Sequence, residues 1–117
     1  MATVLLVDDD VNLLQALQTL VNGAGHLVRT APNGRAAMDI AQRERPDVVV
    51  TDCMMPVMDG EALCRALKAS PQLSDVPVVL TSAVASAPNV PISGFLRKPF
   101  AAARLLELIR LLAPLRH

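Results

Sequence analysis

The chain has 117 residues, 52% of them apolar and 19% charged, and its formal net charge is zero. That length and composition support one globular domain and exclude an intrinsically disordered chain, and the balanced charge gives no reason to expect direct nucleic-acid binding. No apolar run approaches the ~20 residues of a membrane-spanning helix, so no membrane partner is expected.

A strand pattern begins at Thr3, which is read as leaving no room for a leader peptide. The first strand is Thr3–Val7, and it ends on three carboxylates, Asp8, Asp9 and Asp10. A helix follows, with Leu13, Leu14, Leu17, Leu20 and Val21 on one stripe, and it stops at Gly23 or Gly25. Asp10 is better read as its N-cap than as a metal ligand. The second strand is His26–Ala31, where Arg29 suits an edge guarded against pairing. Asn33 caps a second helix, Gly34–Glu44, which ends before Pro46. The third strand, Asp47–Thr51, is a β-branched run and reads as central; Asp52 follows it. Asp59 caps a third helix that runs through Leu63 and Leu67 to Ser70-Pro71. The fourth strand is Val76–Thr81 and the fifth Gly94–Arg97. The last helix is Phe100–Leu112, with Leu105, Leu108, Ile109 and Leu112 inward and Pro114 beyond its end.

Alternation of strand and helix signals predicts an α/β domain, a doubly wound five-stranded parallel sheet covered on both faces. The connection of strands four and five, residues 83–93, is shorter than the dozen or so residues usual for a parallel crossover and contains Pro88 and Pro91. It predicts a loop or at most one helical turn, so the fourth helix of an ordinary doubly wound unit is shortened or missing. Cys53 and Cys64 sit in apolar surroundings and are read as reduced thiols of a cytoplasmic protein. Met54, Met55 and Met58 are read as packing residues, and His26 shows no metal-binding partner.

If strands one and three are neighbours, Asp8, Asp9 and Asp52 meet at one carboxyl edge of the sheet, where open α/β sheets bind ligands. Clustered carboxylates repel unless a cation sits among them, and Mg²⁺ is the most economical one because it takes a few carboxylates plus water and phosphate oxygens.

Four segments in order, each at a predicted strand end, resemble the receiver domain of bacterial two-component response regulators. They are Leu6-Val7-Asp8-Asp9-Asp10, Asp52-Cys53-Met54-Met55-Pro56-Val57-Met58-Asp59-Gly60, Pro77-Val78-Val79-Leu80-Thr81-Ser82-Ala83 and Gly94-Phe95-Leu96-Arg97-Lys98-Pro99-Phe100. The resemblance spans essentially the whole chain and implies the strand order 2-1-3-4-5. It implies Asp52 as phosphoacceptor, with Lys98 and Ser82 acting on the phosphoryl group. It implies Asp9, Asp52 and the backbone carbonyl of Met54 as direct Mg²⁺ ligands, with Asp8 acting mostly through bound water. Ser82 and Phe95 match the pair that switches on activation, and the Lys98–Pro99 bond resembles one that is cis in the family.

The function so implied is two-component signalling. A sensor histidine kinase or a histidine phosphotransfer protein supplies the phosphoryl group, and a downstream protein target or an attached output domain reads the result, with a homodimer as one form of the switch. The surface built from the fifth strand and the last helix is expected to take the partner, since the shortened crossover unsettles the family's usual face. The chain is then no enzyme beyond its own phosphorylation and dephosphorylation. Apolar Met54 and Val84, at positions that affect hydrolysis in the family, imply a longer-lived phosphate than polar groups there would give. Three rivals are weaker. An aspartate phosphatase needs an acid at position 54, which is Met54; a flavodoxin-like flavin carrier needs a hydroxyl-rich loop where Asp8-Asp9-Asp10 stands; and a receiver-like module independent of phosphorylation predicts the loss of a site residue, yet all are present.

Overall fold

The computed structural model describes residues 2–84 and 89–114. Five strands, β1 (Thr3–Val7), β2 (Leu27–Ala31), β3 (Val48–Asp52), β4 (Val78–Ser82) and β5 (Gly94–Arg97), form one parallel sheet in the order β2-β1-β3-β4-β5. Four helices accompany them: α1 (Val11–Gly23), α2 (Gly34–Arg43), α3 (Gly60–Ala69) and α4 (Ala102–Leu112). The doubly wound fold and strand order expected from the sequence are therefore present.

Alternation along the strands sends successive side chains to opposite faces. On one face Leu5, Val7, Val49 and Val78 are buried with Ala37 and Ala41 of α2 and with Leu63, Cys64 and Leu67 of α3. On the other, Val4, Leu6, Val48, Val50, Val79 and Leu96 are buried with Val21 of α1 and with Leu105 and Ile109 of α4. β3 is buried along its whole length, as its β-branched run requires of a central strand.

The helices start where the sequence places their caps. Asp10 accepts from the Leu13 amide at 3.1 Å, Asn33 from Ala36 at 2.9 Å and Asp59 from Ala62 at 2.8 Å. Each such bond contributes about 1 kcal/mol. The last helix begins at Ala102 and not at Phe100, and its first turn has no side-chain cap. β4 begins at Val78 and not at Val76, because the Val76 amide turns back to the Leu73 carbonyl (3.1 Å) and Pro77 has no N–H to give to a ladder. On edge strand β2, Arg29 is held by Glu44 at 2.9 Å.

Between β4 and β5 no helix occurs among the described residues; Ala85, Ser86, Ala87 and Pro88, part of the predicted loop, lie outside them. The stretch leading into β5 is tied down. Val90 and Ile92 pack on the core beneath α3, the Cys64 thiol donates to the Pro91 carbonyl (3.2 Å), and the Ser93 amide donates to Val78 (2.8 Å). Of the two cysteines, Cys64 is fully buried and Cys53 only half so; both are free. Among the described residues no helix is long and apolar enough to cross a membrane.

At the opposite end of the sheet, the ring nitrogen Nδ1 of His26 accepts the Ala2 amide at 3.1 Å, so the ring must be neutral there. Burial, and then the amino-terminal charge, push its pKa below the usual 6.5. A group lowered on folding makes its contribution in full above its unfolded pKa and loses it as pH falls toward the folded value. The melting temperature of His26→Gln is therefore expected to gain on the parent as pH falls from about 7.5 to about 5.5. A difference that stays flat across that range rejects the assignment.

Candidate functional site

β1 and β3 are adjacent, and both run out at the same edge of the sheet. This brings Asp8, Asp9 and Asp52 together, with carboxylate oxygens of all three within 4.8 Å of one another. Asp8 and Asp52 are 4% and 8% exposed, whereas Asp9 opens to solvent. Lys98 comes just after the end of β5 and reaches back across β4. Its Nζ lies 3.0 Å from Asp8 Oδ2 and 3.3 Å from Asp52 Oδ1. The Lys98 amide donates to the Ser82 carbonyl at 2.7 Å, and the Lys98–Pro99 peptide is cis, as the family resemblance implies. The other oxygen of Asp8 accepts from the Asp10 amide at 2.9 Å.

Three carboxylates thus face one ammonium. Burial, and then the charge of Asp8, raise the pKa of Asp52, against the opposing pull of Lys98 and of the Cys53 amide. For Lys98, burial disfavours the ammonium, but the hydrogen bond and charge of Asp8, joined by Asp52, outweigh it and raise the pKa. Neighbouring Cys53 is pushed up by burial and then by Glu61, Asp52 and Asp59, which keeps it a thiol and no rival nucleophile. Hard oxygens partly open to water suit Mg²⁺, and the cluster contains neither thiolate nor imidazole for a softer metal.

Ser82, at the end of β4, is buried, and its Oγ accepts from the Val84 amide at 3.1 Å. Register places Leu80 beside Phe95 and Ser82 beside Arg97, so Phe95 and Ser82 share a face of the sheet. Phe95 is half-buried. Thr81 pairs with Leu96 and looks to the other face, as alternation requires. Met54 is on the loop after β3, and its side chain lines an open cleft of about 310 Å³ with Asp9, Met55, Pro56 and Asp59. On the opposite flank of Lys98, an apolar groove of about 450 Å³ is lined by Leu13, Leu17, Lys98, Pro99, Phe100 and Ala102.

The loop from Cys53 to Asp59 is held by features the sequence did not mark as functional. The Gly60 amide donates to the Cys53 carbonyl at 3.0 Å, and a Cβ at Gly60 would overlap the Asp52 carbonyl oxygen. The Gly34 amide donates to the Met58 carbonyl at 2.9 Å, and a Cβ there would fall 2.7 Å from that oxygen. Between them Val57 has φ 71° in a tight turn closed by Met58 N–H to the Pro56 carbonyl at 2.8 Å. That is a conformation a β-branched residue adopts only under constraint. The glycines could have been suspected from their places at helix starts, where an N-cap side chain already does the local work. Nothing in the residue type announces Val57.

Known proteins resemble this chain in sequence and in fold. The family model described as response regulator receiver domain matches residues 4–110. The response regulator MprA of Mycolicibacterium vanbaalenii is 35% identical over 115 residues, covering 93% of this chain and 49% of that protein. The probable transcriptional regulator ycf27 of Guillardia theta is 37% identical over 81 residues, 69% of this chain and 31% of that protein. The chemotaxis response regulator CheY4 of Vibrio cholerae superposes with a TM-score of 0.89 at 33% identity, covering 96% of this chain and 98% of that one. The chain therefore spans about a third to a half of the curated relatives just named.

Because the ionised Asp52 is disfavoured in the folded state, removing its charge should stabilise the fold. Asp52→Asn is expected to melt higher than the parent near neutral pH in chelator. The gap should close as pH falls through the raised folded pKa, where the parent carboxyl takes up its own proton. A variant that melts lower at pH 7 overturns this account of the cluster.

Proposed function

The chain belongs to the response regulator receiver family of two-component systems, and from that premise we propose that Asp52 accepts a phosphoryl group from a phosphohistidine. The observation that carries the reading is the convergence of Asp8, Asp9, Asp52 and Lys98 within hydrogen-bonding and ion-pairing reach at one sheet edge. Asp8, Asp9, Asp52 and the Met54 carbonyl would hold Mg²⁺. When bound, the ion neutralises charge on the transferring group and lets a carboxylate meet an anionic donor.

The residues then divide the work. An Asp52 oxygen forms the new bond to phosphorus as the nitrogen–phosphorus bond of the donor histidine breaks, and the histidine leaves with the electron pair. Lys98 stands 3.3 Å from the Asp52 carboxylate and is placed to balance one phosphoryl oxygen. The Ser82 hydroxyl accepts from Val84 and keeps its proton free, so it can donate to another oxygen only after transfer. A contact made in one state alone is what shifts a population, and Phe95 on the same face as Ser82 is placed to respond.

The donor would be a sensor histidine kinase or a histidine phosphotransfer protein, and the apolar groove beside Lys98 is where its helix would rest, within reach of Asp52. The readout would fall to a protein target, an attached output domain or a second copy, through β5 and α4, where Leu111 is 61% exposed. The receiver segment, with zero net charge, is proposed to make no direct contact with nucleic acid, whatever is joined to it. Its chemistry is limited to its own phosphorylation and dephosphorylation. A cytoplasmic location and a single domain over residues 1–117 complete the proposal.

Incubation with a small acyl phosphate should add one phosphoryl mass in the presence of Mg²⁺, none in chelator and none in Asp52→Ala. Phosphate found on the Asp52→Ala variant would move the acceptor elsewhere. Intact mass is the suitable readout, because the chain has no Trp whose fluorescence could report it. Met54 and Val84 are both solvent-facing and apolar, and neither can orient an attacking water. Glutamine at both positions is expected to shorten the half-life of the phosphorylated form; an equal or longer half-life excludes that role.

A further inference from the structure

Of the methionines in the described residues, Met38, Met55 and Met58 are packed against the core beneath α2 and α3, whereas Met54 is 72% exposed. Its side chain shares the cleft of Asp9, at the mouth of the carboxylate cluster. The fully buried thiol of Cys64 is tied to the Pro91 carbonyl at 3.2 Å. Oxidation of sulfur tracks exposure, so among the described thioethers the one most open to an oxidant from solvent is Met54, two residues past Asp52, while half-buried Met55 borders the same cleft.

We propose that Met54 is an oxidation site for hydroperoxides, and that its sulfoxide shortens the life of a phosphoryl group on Asp52. The second half rests on the phosphoacceptor reading above. A sulfur lone pair attacks the oxygen–oxygen bond of the peroxide, and one oxygen stays on sulfur as the sulfoxide. The other leaves as water, or as an alcohol from an alkyl hydroperoxide, after a proton shift. Sulfur loses two electrons and the peroxide gains them.

The site tolerates this chemistry where Met38, Met55 and Met58, packed against the core, do not. Oxidising Met55 or Met58 would put a polar oxygen on side chains packed against the apolar core beneath α2 and α3, but Met54 already faces water. The loop carrying it is fastened through backbone, by Gly60 to Cys53 and by Gly34 to Met58, so it keeps its course when that side chain changes. The sulfoxide oxygen is a strong hydrogen-bond acceptor at a position that is now apolar. It can hold a water beside Asp9 and next to the acyl phosphate, where the thioether is only a weak acceptor. Sulfoxide reductases reverse the change, which makes the position a switch and not only a lesion.

Hydrogen peroxide treatment and then peptide mass mapping test the first half on the unphosphorylated protein. Met54 should gain oxygen about tenfold faster than Met38, Met55 or Met58, in keeping with its exposure. Equal rates, or oxygen arriving first on Cys53 or Met55, would overturn the site. For the second half, oxidised and unoxidised samples are charged with a small acyl phosphate and Mg²⁺, and phosphate loss is monitored by intact mass. The oxidised form should lose phosphate roughly threefold faster or more, a modest effect beside that of a positioned general base. Sulfoxide reductase should restore the slower rate, and in Met54→Leu the treated and untreated rates should match. An unchanged rate after oxidation of the parent, or an equal response in Met54→Leu, rejects the second half. A protein that takes no phosphate at all fails the phosphoacceptor reading and the lifetime effect with it, while the oxygen map at Met54 stands or falls separately.

Discussion

Two buried carboxylates and one exposed one are crowded at the carboxyl edge of β1 and β3 against a single ammonium. Coulomb repulsion among them is a standing cost, larger for the buried pair than it would be in water. The arrangement has a deficit of positive charge and an excess of oxygen donors, and the divalent cation proposed above would meet the first and use the second. Lys98 keeps that deficit partly balanced, and its reach over the ends of β4 and β3 ties β5 to β1 across the two strands between them. The same contact that moderates the repulsion thus also ties together the sheet edge that carries the carboxylate cluster.

The scaffold around this edge is conservative, and its departures lie on one side. α1, α2 and α3 start at side-chain caps and bury the apolar stripes that the sequence lays out. The residues that lead into β5 instead run close to α3, with Val90 and Ile92 packed against the core and the Cys64 thiol holding the Pro91 carbonyl. Among the described residues β5 pairs only with β4, and any motion that the proposed role of Ser82 would impart would pass to the tethered segment before β5 and to α4.

Much of this was legible from residues alone. Runs such as Val48-Val49-Val50 and Val78-Val79 can only be strands buried on both faces, and the carboxylates that end β1 and β3 announce the site once those strands are neighbours. Strand order, the reach of Lys98 and the face shared by Ser82 and Phe95 depend on which strands pair, which local pattern does not encode; here resemblance to a family supplied it. Boundaries slipped where backbone partners decide, at Val76 and Phe100. Least legible was the loop geometry. The φ of 71° at Val57 arises from the fastening of Met58 to Gly34 and of Cys53 to Gly60, and tertiary contacts of that kind leave no trace in the identity of a valine.

Gly60 bears on how tolerance to substitution would be interpreted in this chain. It occupies the start of α3 without touching the carboxylate cluster, yet a side chain there would enter the space of the Asp52 main-chain oxygen. A screen that scores signalling would mark the position as intolerant, as it would Asp52 itself. The two intolerances would have different origins: one in the reactivity proposed for Asp52, the other in how closely two segments of backbone can approach. Only a readout of folding separates them. The small residues that border the loop after β3 form a steric frame, and sequence variation there would report the frame and not the reaction proposed beside it.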